Sequence, residues 1–195
     1  MRPLTVLTTC LVIAAVLFLA TSFVWALGRA MDHEYRCGIE TFWNQMFFDA
    51  EYNRRLFFDE LHFSEWNELE QKHEGERVVR FVRAVPPAPD LPGPLKAALG
   101  NGVGYEERGV FERSKNCYDA RVRPNSLGDR VVIEFSFRTE PMGAGKCRRI
   151  VDGTAAARVM LVGGMLEQRM ISDLQRSYEK SAVFTNRFVA EKGFS

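Results

Sequence analysis

The spacing of hydrophobic residues changes along the chain, and it predicts the order of strands and helices. Between 130 and 138 apolar and polar residues alternate, and one face carries Val131, Ile133, Phe135 and Phe137. The segments 103–113 and 118–123 alternate in the same way. Successive side chains of a strand point to opposite faces, so these segments predict strands with one buried face and one wet face.

Four more segments are typical of strands. Residues 32–40 predict the first strand, and residues 146–159 predict the last, after a turn at 141–145. Residues 63–71 and 77–85 predict a hairpin around His73-Glu74-Gly75. Together the patterns predict an antiparallel sheet of about seven strands.

Helical spacing appears in two parts of the chain. Between 42 and 61 apolar residues recur at steps of three and four, which predicts two short helices broken near Asp49. From Gly164 to about Val189 the chain predicts one long amphipathic helix, whose apolar stripe must lie on the sheet. That stripe consists of Leu166, Met170, Leu174, Tyr178, Phe184 and Phe188. The predicted fold class is therefore α+β.

Two serines interrupt the apolar stripe of the long helix. A step of about 100° per residue places Ser177 and Ser181 in the middle of the stripe. Small polar side chains there would leave unfilled volume between helix and sheet. Alternatively, bulky neighbours from the sheet fill that volume and the hydroxyls bond to the carbonyl four residues earlier.

A proline-rich segment separates the hairpin from the later strands. Residues 86–94 contain too many prolines for a regular element, and residues 95–99 predict a short helical piece. The strand pattern resumes afterwards, so the segment is a long connection and a candidate mobile rim of a site.

The N-terminus carries an apolar run. No charged residue lies between Pro3 and Gly28, and a helix of that length would reach roughly 39 Å against a hydrocarbon core of about 30 Å. We interpret residues 1–30 as a single-pass transmembrane anchor, with the side of the soluble domain open. A cleaved signal ending near Ala26-Leu27-Gly28 and a translation start at Met31 are the alternatives.

Composition limits the function of residues 31–195, which are enough for one domain. The whole chain has 26 basic and 25 acidic residues, so nucleic-acid binding is not expected. His33, His62 and His73 lack metal-ligand spacing, and we expect neither a metal nor a cofactor. We interpret the three cysteines after the apolar run as small buried thiols; the alternative is one disulfide, for which Cys37 and Cys147 are the first pair to test.

Two charged residues fall on the predicted inner face. Glu107 is in phase with Tyr105 and Phe111, and one of the adjacent Arg148 and Arg149 must point inward in a strand. An inward Glu and Arg could pair with each other or orient a ligand head group. The alternative is that bulges or twist return both to solvent.

This order of elements resembles the START-like helix-grip (SRPBCC) superfamily, which includes lipid-transfer domains, pollen-allergen-type proteins and polyketide cyclases. The residues 90–93 with 97–100, and 162–167 at the start of the last helix, resemble a bacterial START-like family of unknown function. Residues 42–57, with Phe47-Phe48-Asp49, are similar to the opening of PRELI-type and VASt-type lipid-transfer domains. The resemblance implies a curved sheet that grips the long helix around an apolar cavity, and it assigns no catalytic residue.

The leading hypothesis is a membrane-tethered module that binds or transfers a lipid or other hydrophobic small molecule. The candidate ligand-binding residues are Tyr105, Glu107, Phe111, Tyr118, Val131, Ile133, Phe135, Arg149, Met170, Leu174, Ser177, Tyr178 and Ser181. One alternative is an enzyme similar to the polyketide cyclases, with Glu107 or Tyr118 transferring a proton. The other is an interaction protein with a filled core, whose wet sheet face binds a protein partner.

Overall fold

A computed structural model of the chain describes residues 25–26, 31–87, 93, 104–125, 130–157 and 163–194. Eight strands lie in this part of the chain: β1 (Trp25–Ala26), β2 (Met31–Tyr35), β3 (Glu65–Glu74), β4 (Arg77–Val85), β5 (Tyr105–Glu112), β6 (Cys117–Pro124), β7 (Val131–Pro141) and β8 (Cys147–Ala157). They form one sheet in which every described pairing is antiparallel, in the order β1-β8-β7-β6-β5-β4-β3.

The first two strands share one row of the sheet. Trp25 pairs with Ala155 of β8, and Met31 pairs with Val151 further along β8. The eight strands therefore make seven rows, which confirms the predicted antiparallel sheet of about seven strands. Alternation holds along β6, where every second residue from Tyr118 to Pro124 is buried, because one face of the sheet is covered.

Two strands differ most from the predicted bounds. The first strand ends at Tyr35 rather than at residue 40, because Gly38 is the N-cap of a helix that starts at Ile39. The predicted strand 63–71 is β3 at Glu65–Glu74, which continues up to Gly75, whose φ of +59° makes the turn. A bulge between Glu68 and Glu70 shifts the β3 register against β4.

Two short helical segments follow β2, as predicted. Helix α1 (Ile39–Phe42) continues into a π-helical turn at Trp43–Phe47, and α2 (Ala50–Arg54) continues into another at Arg55–Glu60. Asp49 separates them as the N-cap of α2, since its carboxylate accepts a hydrogen bond of 2.7 Å from the Tyr52 amide.

The long helix α3 (Gly163–Lys192) lies on the inner face of the sheet and contacts β8 and β2. Asn186 fastens it to the end of β2. Its side-chain oxygen accepts from the Arg36 amide at 2.9 Å, and its side-chain nitrogen donates to the Glu34 carbonyl at 2.9 Å. The predicted C-terminal helix packed on the sheet is confirmed.

The predicted N-terminal anchor lies mostly outside the described residues. Trp25–Ala26, at the end of the apolar run, is a strand paired with β8 and not part of a helix. Within the described ranges, no helix combines the length and the hydropathy needed to cross a membrane. The predicted rim and short helix at 86–99 also fall largely outside the described residues.

Candidate functional site

The interface between α3 and the sheet has two different halves. In the packed half the C-terminal part of α3 meets the short helices through rings in direct contact. Tyr52 lies 5.4 Å from Phe184 and 5.3 Å from Phe188 between ring centres, and its hydroxyl is 2.6 Å from Thr185 Oγ1. Trp43, 4.3 Å from Phe111, closes the floor of this half. All these side chains are buried.

The open half lies towards the N-terminal part of α3. Its inward-facing side chains stay partly exposed, although they point into the space between helix and sheet: Tyr105, Glu107, Phe135, Leu174, Ser177 and Tyr178. In the sheet under this half, β8 contributes the small residues Gly153 and Ala155 next to Phe135 and Ile133 of β7. β8 therefore adds no ring here, and the helix contributes Ser177.

Glu107 and Tyr118 form a hydrogen-bonded pair at the boundary of the two halves. The Tyr118 hydroxyl donates to Glu107 Oε1 at 2.8 Å. The Tyr118 ring is fully buried and lies 4.8 Å from the Phe47 ring. It also lies over Gly109, where a Cβ atom would come within 2.2 Å of its Cζ. The missing side chain of Gly109 thus makes room for the ring that positions the hydroxyl.

The pair favours the protonated form of both groups. Burial raises the pKa of Glu107, against the opposing effects of Arg80 and of the Tyr118 hydrogen bond. Burial, followed by the negative charge of Glu107, raises the pKa of Tyr118 well above its ordinary range. The site can therefore hold a proton on a carboxyl group in an apolar setting.

The Glu107→Gln substitution tests this protonation. The new amide keeps an oxygen acceptor for Tyr118, while the native carboxyl loses stability as pH rises through its raised folded pKa. Below the ordinary value of 4.5 both proteins hold a neutral side chain, so we expect equal stability there. At pH 8 we expect Glu107→Gln to be the more stable protein in urea unfolding. A difference between the two proteins that does not change with pH would contradict a raised pKa.

Two arginines are buried on the inner face, and only one has hydrogen-bond partners among the described residues. Arg80, 4% exposed, donates to Glu68 Oε2 at 2.9 Å and to the Phe47 carbonyl at 3.3 Å. Its guanidinium carbon also lies 4.8 Å from the centre of the Phe47 ring. The positive charge of Arg80 is thus paired with the Glu68 carboxylate, and its bond to the Phe47 carbonyl joins β4 to the short helices.

Arg149, 5% exposed, lies among rings instead. Its guanidinium carbon is 5.1 Å from the centre of the Tyr178 ring and 5.4 Å from those of Tyr35 and Phe137. Its Nε and Nη2 atoms are buried without a hydrogen-bond partner in the described part of the chain. No described ion pair joins it to Glu107, so the predicted inward Glu and Arg are both inward but do not pair.

The structure places the candidate residues in different surroundings. Tyr105, Glu107, Phe135, Leu174, Ser177 and Tyr178 lie in the open half, and Tyr118 lies at its boundary. Val131 and Ile133 are buried on the same face of β7, and Arg149 lies under Tyr178. Phe111 and Ser181 lie in the packed half. They were chosen as candidates because periodicity identifies the inner face of a strand or helix, but it does not show which end of that face stays open. The side chain of Met170 lies outside the described residues.

Three polar residues near the site were not among the predicted candidates. Arg80 occupies an apolar phase of β4, where alternation alone would have flagged it as inward. Tyr35 and His33 lie on the inner face of β2, and their hydroxyl and Nδ1 atoms are buried without described partners. His33 pairs directly with Arg149 across β2 and β8. Only the pairing of distant strands brings these residues together.

The remaining candidate chemistry is structural. Cys37, Cys117 and Cys147 are free thiols. Cys37 and Cys147, named above as the first pair to test for a disulfide, are both buried, and the interaction between their thiols raises the pKa of Cys37 and lowers that of Cys147. No cluster among the described residues has the composition of a metal site.

The outer face of the sheet carries a shallow trough of about 810 Å³ that crosses strands β3 to β8. Two of its charged side chains form ion pairs within the sheet: Arg121 lies 3.6 Å from Glu134, and Asp152 binds Arg138. Arg108 stacks on Phe81 at 3.8 Å. These contacts leave the trough without a distinct electrostatic signature for one partner.

Solved structures with the same fold confirm the helix-grip resemblance. A Streptomyces sp. R1128 protein, the Zhui aromatase/cyclase, is 10% identical with a TM-score of 0.59, over 86% of this chain and 96% of its own. Norcoclaurine synthase from Thalictrum flavum is 11% identical with a TM-score of 0.57, over 90% and 92%. A Thermus thermophilus protein is 15% identical with a TM-score of 0.56, over 84% and 97%.

Sequence comparison gives the family rather than an activity. No curated protein matches this chain significantly. A family model described as a protein of unknown function, DUF2505, matches residues 30–189. That range includes β2 to β8, both short helices and most of α3. The chain therefore belongs to the DUF2505 family.

Proposed function

We propose that this protein binds a hydrophobic small molecule, such as a lipid, between α3 and the sheet. The observation that carries the proposal is the open half of the interface. There, aromatic and aliphatic side chains point inward but stay partly exposed, next to the small residues Gly153 and Ala155 of β8. Apolar surface facing such a space is favourable to cover with an apolar ligand.

The same fold holds small molecules elsewhere. One structure of the norcoclaurine synthase from Thalictrum flavum, which is 11% identical to this chain, is a complex with dopamine and hydroxybenzaldehyde. That likeness concerns the fold, and it shows that a protein of this fold can bind small molecules. The chemistry of the ligand must come from the residues of this chain.

We also propose that the N-terminal apolar run holds the domain at a membrane. With Trp25–Ala26 in the sheet, the uncharged residues 3–24 would still reach about 33 Å as a helix, enough for a hydrocarbon core of about 30 Å. A carrier anchored in this way would exchange its ligand with the membrane that holds it.

Replacing Leu174 with tryptophan tests the cavity. Leu174 is a half-buried wall residue of the open half, so an indole there occupies the ligand space. We expect Leu174→Trp to lower the affinity for the neutral apolar dye Nile red by at least tenfold in a fluorescence titration, about 1.4 kcal/mol. Unfolding in urea should stay close to wild type, because the added ring enters open space.

Val183→Trp is the matched control for that substitution. Val183 lies on the same helix but is 67% exposed, so the same indole faces solvent. The control should bind Nile red as wild type does. Equal binding by Leu174→Trp and wild type would refute the cavity proposal.

A second candidate function is proton-transfer catalysis in the same space. The observation that favours it is the hydrogen bond of 2.8 Å between Tyr118 and Glu107, whose carboxyl has a raised pKa. A carboxyl whose pKa is raised by burial suits general acid–base catalysis. The Glu107→Gln variant separates the two functions, since an enzyme would lose turnover while it retained ligand binding.

A further inference from the structure

Arg149 is a buried cation with no anionic or hydrogen-bonding partner among the described residues. It is 5% exposed, and its Nε and Nη2 atoms donate to no described atom. An unpaired charge in an apolar interior is strongly unfavourable, and native proteins rarely retain one without a role. Arg80, equally buried on the same face, shows how this fold pairs an arginine when its role is structural.

The geometry of the unpaired atoms points to a two-oxygen acceptor. The N–H bonds of Nε and Nη2 run parallel along one side of the planar guanidinium. This fork matches the two oxygens of a carboxylate, which accepts both hydrogen bonds at once. The three rings of Tyr35, Phe137 and Tyr178 hold the guanidinium in place by cation–π contact.

The strand next to Arg149 carries further unpaired polar atoms. The Tyr35 hydroxyl and His33 Nδ1 are also buried without described partners. His33 lies directly opposite Arg149 in the sheet, and Tyr35 is two residues along the same strand. Each buried polar atom without a hydrogen-bond partner lowers the stability of the fold. A single anionic group with its bound water would give hydrogen bonds to all of them.

We propose that Arg149, assisted by Tyr35, binds the carboxylate of an apolar acid whose tail lies in the open half. The inference rests on the proposed function, since it names the head group of that same ligand. Tyr178 connects the two regions, because its ring covers Arg149 while the neighbouring Ser177 and Leu174 lie in the open half. One cation among three rings suits a monoanion such as a fatty acid.

The test compares two probes that differ only in the head group. Lauric acid and dodecanol are titrated by calorimetry into the full chain at pH 8, where the acid is ionised. We expect wild type to prefer lauric acid by roughly 10- to 100-fold, the value of a charge-assisted bidentate contact. Arg149→Met should lose this preference and still bind dodecanol. It should also be at least as stable as wild type, because it removes an unpaired buried charge.

Two further variants complete the design. Arg148→Met is the control, since the adjacent Arg148 points to the outer face and pairs with Glu140 at 3.1 Å, and it should keep the wild-type preference. Arg149→Lys keeps the charge without the fork, so its preference should be intermediate; it serves if Arg149→Met does not fold.

The outcomes separate this inference from the proposed function. Equal binding of both probes to wild type would overturn the Arg149 site and leave the cavity standing. A preference for the acid that persists in Arg149→Met would also overturn it. Binding of neither probe would reject the proposed function and the inference together.

Discussion

Replacing Trp43 with alanine is expected to lower the free energy of unfolding by about 3–5 kcal/mol, the range for removing a large buried aromatic side chain. Trp43 is 2% exposed and joins three parts of the fold. The centre of its ring lies 4.3 Å from the ring centre of Phe111 in β5 and 5.0 Å from that of Phe47. Its indole nitrogen donates a hydrogen bond of 2.8 Å to Thr139 Oγ1 of β7. Its removal leaves a cavity under the short helices and an unpaired hydroxyl.

Two variants separate packing from hydrogen bonding in urea unfolding. Trp43→Phe keeps most of the ring but loses the donor to Thr139, so it should cost less than the alanine variant. Leu69→Ala removes a hydrophobic side chain that is 47% exposed, and it should change stability by less than about 0.5 kcal/mol. A loss for Trp43→Ala as small as that of Leu69→Ala would show that the packed half does not support the fold.

The sequence was sufficient for elements whose two faces differ in polarity. Alternation from Val131 to Phe137 predicted β7 and its buried face, because a strand in a one-sided sheet must place apolar residues at every second position. The stripe that ends in Phe184 and Phe188 predicted the buried face of α3 in the same way. The break between the short helices was predictable because Asp49 is a strong N-cap residue.

Chain periodicity could not predict which strands become neighbours. His33 and Arg149 are far apart in sequence and lie side by side only because the last strand, β8, pairs with β2. The partners of Arg80 come from β3 and a π-helical turn. Contacts of this kind depend on topology, so the sequence predicted that Arg149 or its neighbour turns inward but not that three rings would enclose it.

The open and packed halves of the interface also required the structure. Phe111 and Glu107 have the same phase in β5, yet Phe111 contacts Trp43 in the packed half and Glu107 binds Tyr118 at the boundary. The short helices cover one end of the inner face of the sheet. The position of a side chain along its strand therefore decides whether it lies in the packed half or in the open half. The candidate residues chosen by phase alone therefore spread across both halves.

Gly109→Ala is expected to destabilise the protein by about 2–3 kcal/mol, near the upper end of the usual cost of overpacking. A Cβ atom at this position would lie 2.2 Å from both Cζ and the hydroxyl of Tyr118, so the ring must move. It has little room, because it is fully buried, lies 4.8 Å from the Phe47 ring and is hydrogen-bonded to Glu107. The backbone preference of alanine over glycine in a strand, roughly 0.5–1 kcal/mol, offsets only part of this cost.

A double-mutant cycle identifies the ring as the cause. Tyr118→Leu removes the three atoms nearest to the new methyl group, all of the Tyr118 ring and hydroxyl, so in that background Gly109→Ala should be neutral or slightly stabilising in urea unfolding. Gly38→Ala is the control, since no atom lies within 4 Å of its Cβ position, and it should have a small effect. An equal loss from Gly109→Ala in both backgrounds would show that the strand itself, and not Tyr118, requires glycine. That result would also contradict the view that the missing side chain of Gly109 makes room for the Tyr118 ring and so positions its hydroxyl at Glu107.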